Sequence, residues 1–205
     1  MAVVRFEELS REPYDGGSEF GATGAYERID GRLHFAVDPA NPANQAIVDL
    51  ALAPRDERGR VRFTADFCLL RPVDPSRGNQ RLFLEAPNRG RKLLNRQLNR
   101  AAAEATPTRD IPSGDGFPFR HGYAVGWIGW QWDVIRSEAL MGLEAPLALE
   151  GGRPVSGQTV LRFQPSLAHH THLLADRIHQ PYPAADPDEA GATLTVRDFD
   201  DDEPR

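Results

Sequence analysis

Few residues of this chain are suited to attack a substrate or to move a proton. They are one cysteine, six histidines and seven serines among 205 residues. A serine becomes a strong nucleophile on a sharp strand-to-helix turn, which needs glycine two positions before it and two after. None of Ser10, Ser18, Ser76, Ser113, Ser137, Ser156 and Ser166 has both. Ser18 has only one of the two, with Gly16 before it but Phe20 after it. The chain by itself is therefore expected to show no serine-hydrolase activity. Cys68, between Phe67 and Leu69, is expected to be a buried, inert thiol.

His169-His170-Thr171-His172 and His179 raise the question of a metal. On a helix His169 and His172 would share a face, but Gln164-Pro165 and Gln180-Pro181 bracket the segment as a loop. No His-Glu-x-x-His pattern or second cysteine supports a zinc site. The segment reads as exposed, with no metal or other cofactor expected.

Two other groups are candidates for binding. Pro87-Asn88-Arg89-Gly90 reads as a tight loop between a strand and a helix, where backbone N–H groups and a helix dipole suit an anion. Asn88, Arg89 and Gly90 are thus oxyanion-loop candidates; an ordinary strand-to-helix turn with Asn88 near the cap is the competing reading. Trp130, Trp132 and Asp133 are candidates for a pocket wall. Trp130 and Trp132 are expected on one face of a strand and Trp127 on the other, and core packing plus one rim residue is the preferred account of the tryptophans over a ligand platform. Arg89, Arg91, Lys92, Arg96 and Arg100 carry five positive charges without Walker or Gly-x-Gly-x-x-Gly spacing, so they read as a solvated helix face.

The elements that must position these residues follow from periodicity. Residues 1–75 read as an antiparallel β lead-in. Tyr26–Ile29 and Arg32–Val37 flank Asp30-Gly31, a two-residue hairpin signal. A second strand pair is expected over 46–52 and 61–70, with Val61, Phe63, Ala65 and Phe67 on one buried face. Residues 76–133 change period. A strand at 81–86 precedes a helix over 91–105 with Leu94, Leu98, Ala101 and Ala105 on one face, then a strand within 122–130. Strand, helix, strand implies a parallel pair. Residues 134–196 read as a β-containing insertion with strands at 155–163 and 192–196. Residues 197–205 read as an acidic disordered tail. The fold class is α/β with a β-rich lead-in.

Charge narrows the partners. The net charge is −6. Eight acids and two arginines between Asp186 and Arg205 account for all of it, leaving the rest of the chain formally neutral. Nucleic-acid binding is not expected. No run reaches the length of a membrane span and the start carries Glu7 and Glu8, so a cytoplasmic location is expected.

Four stretches together resemble the bacterial α/β-hydrolase-domain proteins. They are Gly24-Ala25-Tyr26-Glu27-Arg28, then Ala65 to Asp74, then Leu84-Glu85-Ala86-Pro87-Asn88-Arg89-Gly90-Arg91-Lys92. The fourth is Gly122-Tyr123-Ala124-Val125 running into Gly129-Trp130-Gln131-Trp132-Asp133. The resemblance implies that the strands at 81–86 and 122–130 are the third and fourth of a hydrolase sheet. Members of that family continue to a Gly-x-Ser-x-Gly elbow and a later acid and histidine, so this chain resembles their amino-terminal portion. An acyl-ester substrate, no cofactor, and a carboxyl-terminal hydrolase segment or self-association through an open strand edge are what the resemblance implies. A self-sufficient non-catalytic interaction domain is the alternative.

Overall fold

The computed structural model describes residues 2–102, 109–164, 167, 170–172, 179–188, 191–199 and 201–203. Three strands of twelve residues open the fold: β1 (Ala2–Pro13), β2 (Tyr26–Val37) and β3 (Val61–Pro72). They pair antiparallel in sequence order. The hairpin expected at Asp30-Gly31 does not form, because β2 runs straight through it. Gly31 faces Glu8 on β1 and Phe67 on β3 at once, so a turn there would break two ladders. Its glycine serves close approach instead. A Cβ at this position would lie 2.4 Å from the Glu7 carbonyl oxygen and 2.6 Å from the Phe6 ring. The β1 register slips beside it, between Glu8 and Ser10.

The alternation expected in β3 holds for only half its length. Val61 and Ala65 are buried on one face; Cys68, Leu70 and Pro72 are buried on the other. Each face of the sheet is thus covered at a different end. On the first face Phe63 stacks on its cross-strand partner Phe35, with centroids 4.5 Å apart. The strand expected over 46–52 is absent. Asp49 is left-handed (φ 57°) and Leu50–Leu52 form a 3-10 turn. Its expected partner, β3, is already paired with β2 on one side and with Ala124–Ile128 and Leu143–Glu144 on the other, so the run has no place beside it.

The second half supplies β4 (Leu82–Glu85), α1 (Leu94–Asn99), α2 (Phe117–Arg120) and β5 (Ala124–Ile128). β5 inserts between β3 and β4, giving the order β1-β2-β3-β5-β4. It is antiparallel to β3 and parallel to β4, as the strand–helix–strand pattern implied. With β6 (Leu143–Glu144) added to β3, the sheet has six strands and is mixed and α/β-like. Residues 1–75 and 76–133 therefore contribute to one sheet.

The helix is shorter than expected. Arg100 turns left-handed (φ 50°) and ends α1 after six residues; Ala105 lies outside the described residues. Its buried face is also not the leucine stripe. Asn95 and Asn99 are the buried pair, while Leu94 packs only partly against the core. Asn95 Nδ2 donates to the Pro112 carbonyl at 2.6 Å, and Asn99 Nδ2 donates to Asn95 Oδ1 at 2.8 Å. Buried amides are tolerated when bonded in this way. The segment around Gly114 (φ +54°), pressed on Asn99, supplies the cover.

The core gathers Tyr14, Phe20, Tyr26 and Phe119, ring centroids 4.9 to 6.1 Å apart, over Leu70, Val125 and Trp127. Tyr26 Oη, itself buried, reaches the Phe119 and Tyr123 carbonyls at 3.1 and 2.9 Å.

Beyond residue 134 regular structure is sparse. β7 (Leu149–Glu150) and β8 (Arg153–Pro154) form a small hairpin about Gly151-Gly152, both at positive φ. The strands expected at 155–163 and 192–196 do not form; these residues are mostly exposed. In the acidic tail, residues 200, 204 and 205 lie outside the described residues. Among the described residues no helix is long and apolar enough to cross a membrane.

Candidate functional site

Parallel strands present their following loops at one edge, where ligands of α/β sheets commonly bind. Here that edge lies beyond Glu85 of β4 and Ile128 of β5. Asn88–Gly90 form a 3-10 turn with Arg89 at φ 58° and Gly90 at φ 73°. Gly90 is buried, and a Cβ on it would come within 2.6 Å of the Met141 carbonyl oxygen. Only glycine fits both that space and that φ.

Most amides of this loop are already engaged. Arg89 N–H donates to Gln131 Oε1 at 2.7 Å, and Arg91 N–H to the Asn88 carbonyl at 3.2 Å. The start of α1 is occupied by the protein itself. Glu85 Oε2 accepts from Leu93 N–H (3.1 Å), Leu94 N–H (2.8 Å) and Trp127 Nε1 (2.6 Å). A carboxylate thus sits where a helix of this polarity would attract an anion. Asn88 is exposed and donates its own N–H to no partner in the turn.

β5 ends at Ile128, so Trp130 and Trp132 lie on the turns beyond it and not on the strand face expected for them. Trp130 is 53% exposed and donates Nε1 to the Pro87 carbonyl at 3.0 Å. Trp132 meets Tyr182 edge-on, 4.8 Å between centroids. Trp127 alone is fully buried.

Asp133 brings in the most distant part of the chain. Its carbonyl accepts from Gln180 N–H at 2.7 Å, and Gln180 Nε2 donates to the Trp132 carbonyl at 2.9 Å. Next to this bridge His179 is buried, with Nδ1 4.0 Å from Asp133 Oδ2. Arg89 Nη1 lies 2.7 Å from His179 Nδ1 and 2.5 Å from Nε2. A neutral imidazole has one accepting nitrogen, so Arg89 makes one bond here. The expectation of an exposed histidine segment holds for His170 and His172 and fails for His179, which is held by Arg89; His169 lies outside the described residues.

Arg89, Asp133 and His179 thus meet at the carboxyl edge, beside an open groove of about 280 Å³ walled by Trp132, Ile135, Arg136, Leu143 and Glu144. Asp66 clamps one wall. It accepts from Arg136 through both carboxylate oxygens and from Gly142 N–H at 3.0 Å. The groups suit holding a polar or anionic ligand, and no nucleophile stands among them. Ser18, Ser76 and Ser137 are taken up in local turns, and Ser166 lies outside the described residues. Burial pushes the Cys68 thiol up to about 12. Among the described residues no three His, Cys, Asp or Glu side chains group to hold a metal.

Sequence reasoning singled out Asn88, Arg89, Gly90, Trp130, Trp132 and Asp133, and these gather at one edge. It missed Glu85, Gln131, Gln180 and the role of His179. Glu85 left one signal, a lone carboxylate in an apolar strand just before a helix. Gln131 lies between Trp130 and Trp132 just past β5, whereas Gln180 and His179 reach the edge only through tertiary folding. No protein-family model matches this chain, and no curated protein or solved structure matches it either.

Proposed function

We propose that this chain is the amino-terminal, non-catalytic part of an α/β-hydrolase-type esterase. The observation that carries the reading is the strand order. β5 lies between β3 and β4, parallel only to β4, and β4 stands at the edge of the sheet with its outer row unpaired among the described residues. The resembled fold relates its third and fourth strands in this way and sets the nucleophile-bearing strand beside the third. In the complete protein the reaction is acyl transfer through an activated serine. The loop after β4 lies on the oxyanion side of such a site. Asn88, with its N–H undonated in the turn, is the member open to an oxyanion; Arg89 and Gly90 fix the turn's shape. Trp130, Trp132 and Asp133 wall the acyl or alcohol pocket. Catalysis takes place in the cytoplasm.

The test compares two polypeptides. Residues 1–205 and a longer product, continued by whatever the gene encodes beyond Arg205, are treated with a fluorophosphonate. One serine labelled in the longer product and none in 1–205 is the expected result. Stoichiometric labelling of 1–205, or no labelled serine in the longer product, sinks the reading.

One observation favours a different class, a self-sufficient interaction domain. Among the described residues the aromatic core is assembled within residues 14–141. A longer product without labelling, together with cooperative unfolding of 1–205, would establish that alternative.

A further inference from the structure

The outer edge of β4 is a short strand with an unusual internal symmetry. Its residues read Arg81-Leu82-Phe83-Leu84-Glu85, a pattern that complements itself when run antiparallel about Phe83. Its backbone is poised for that arrangement. Ala124 N–H donates to the Arg81 carbonyl at 2.9 Å, so Arg81 turns its carbonyl toward β5. N–H and C=O of one residue point to the same side of a strand, and the side alternates along the chain. Phe83 therefore also points its polar groups at β5. Leu82 and Leu84 point theirs outward, where no strand lies among the described residues.

The side chains repeat the message. Leu82 and Leu84 are 51% and 54% exposed, and both lie over Gly126, which has no side chain to cover them. Phe83, on the opposite face, stacks on Tyr123 with centroids 4.4 Å apart. Arg81 is exposed, and Glu85 Oε1 is left to accept while Oε2 caps α1.

We propose that the edge of β4 binds a second copy of this chain, the two β4 strands pairing antiparallel about a two-fold axis at Phe83. In that register Leu82 of one copy opposes Leu84 of the other, twice. Each such pair exchanges two N–H···O bonds using the groups that point outward. The four leucines close into one apolar strip on the Gly126 face. Arg81 opposes Glu85 of the second copy at both ends, so the charges agree with the register. Slipping the register by one residue would set outward polar groups against inward ones. The pairing is self-complementary and closes at two, as isologous contacts do. It depends on β4 alone and not on the hydrolase reading. A longer polypeptide that placed its own strand on this edge would be monomeric while 1–205 dimerises.

The experiment is sedimentation of the 205-residue chain at tens of micromolar, alone and as variants. The expected result is a dimer that does not grow further with concentration. Leu84→Lys is expected to give a folded monomer, as judged by unchanged circular dichroism. Phe83→Cys is expected to form an intermolecular disulfide under mild oxidation, since Cys68 is buried and opposed non-hydrogen-bonded positions bring Cα atoms to about 4.5 Å. Leu84→Cys is expected to crosslink at least tenfold more slowly. A wild-type monomer, an open-ended series of larger species, or a dimer untouched by Leu84→Lys would overturn the proposal. If Phe83→Cys fails to fold, Arg81→Glu replaces it. That change sets like charges opposite each other at both ends, and dimer strength unaltered by it would overturn the proposed register.

Discussion

The two edges of this sheet are built by opposite means. On one side β1, β2 and β3 pair over twelve-residue lengths, linked by chain segments that need only return antiparallel. On the other, β4 and β5 share four parallel partner pairs, and thirty-eight residues intervene between Glu85 and Ala124. The long ladders tolerate local faults. The β1 register slips twice, and Asp30-Gly31 passes through β2 without turning. The short parallel edge cannot rely on ladder length, and it is fastened by side chains instead. Trp127, fully buried, and Glu85, which bonds it and caps α1, tie strand, helix and loop together. Extended backbone pairing carries one edge and a few buried side-chain contacts carry the other.

That contrast can be broken most sharply at Trp127. Trp127→Ala removes a fully buried indole from the core and is expected to cost about 3–5 kcal/mol in urea unfolding. Hydrogen exchange should then rise first in β4, β5 and α1, while β1 to β3 stay protected. Uniform loss of protection across β1 to β5 would show that the two edges are not separable.

Gly31→Val probes the other edge. Its branched side chain must displace the Phe6 ring and meet the Glu7 carbonyl, for an expected loss of about 1–3 kcal/mol. Stability within error of the wild type would mean that the β1–β2 contact is looser than described.

Glu85→Gln keeps the shape and removes the charge at the start of α1. A loss of about 1–2 kcal/mol is expected, because three donors lose a charged acceptor. The amides of Leu93 and Leu94 should exchange faster, with no change in β1.

Cys68 links the halves, since it sits on β3 beside β5. Its thiol should not react with a disulfide reagent at pH 8 until the protein unfolds. The upward shift of the thiol sets the sign of a pH dependence. The unfolded thiol ionises near 9 and the folded one near 12, so its contribution to stability is full below pH 9 and lost as pH rises toward 12. Cys68→Ala should flatten that alkaline loss, which urea midpoints at pH 8 and pH 10.5 would measure.

The smallest effect belongs to Glu7. The His34 imidazole, 2.7 Å away, holds its carboxyl below the usual 4.5. A depressed carboxylate contributes stability above its unfolded value, and the contribution disappears as pH falls through the folded one. Below pH 4 the exchange of β1 amides should quicken slightly in the wild type and not in Glu7→Gln.

What could be read in the sequence was what local pattern decides. β3, β4 and β5, the parallel sense of the last two, and a loop at 87–90 follow from alternation, the change of period and Gly/Pro punctuation. Asp30-Gly31 misled because a turn propensity competes with two flanking ladders, and the ladders win. Residues 46–52 misled for the complementary reason, since both sides of β3, the partner expected for them, are taken by other strands. The asparagine face of α1 could not be read at all. Asn95 finds its partners in Tyr14 and Pro112, outside the helix, and Asn99 in turn donates to Asn95. The candidate site divides in the same way. Asn88, Arg89, Gly90, Trp130, Trp132 and Asp133 are near the ends of two strands, and strand ends are written in local sequence. His179 and Gln180 join them through contacts across forty residues or more, which depend on how the folded chain returns. Sequence by itself determined β3, β4 and β5 and where the loop after β4 would open. Tertiary structure alone decided which distant side chains filled that opening, because burial and hydrogen bonding are settled by neighbours in space.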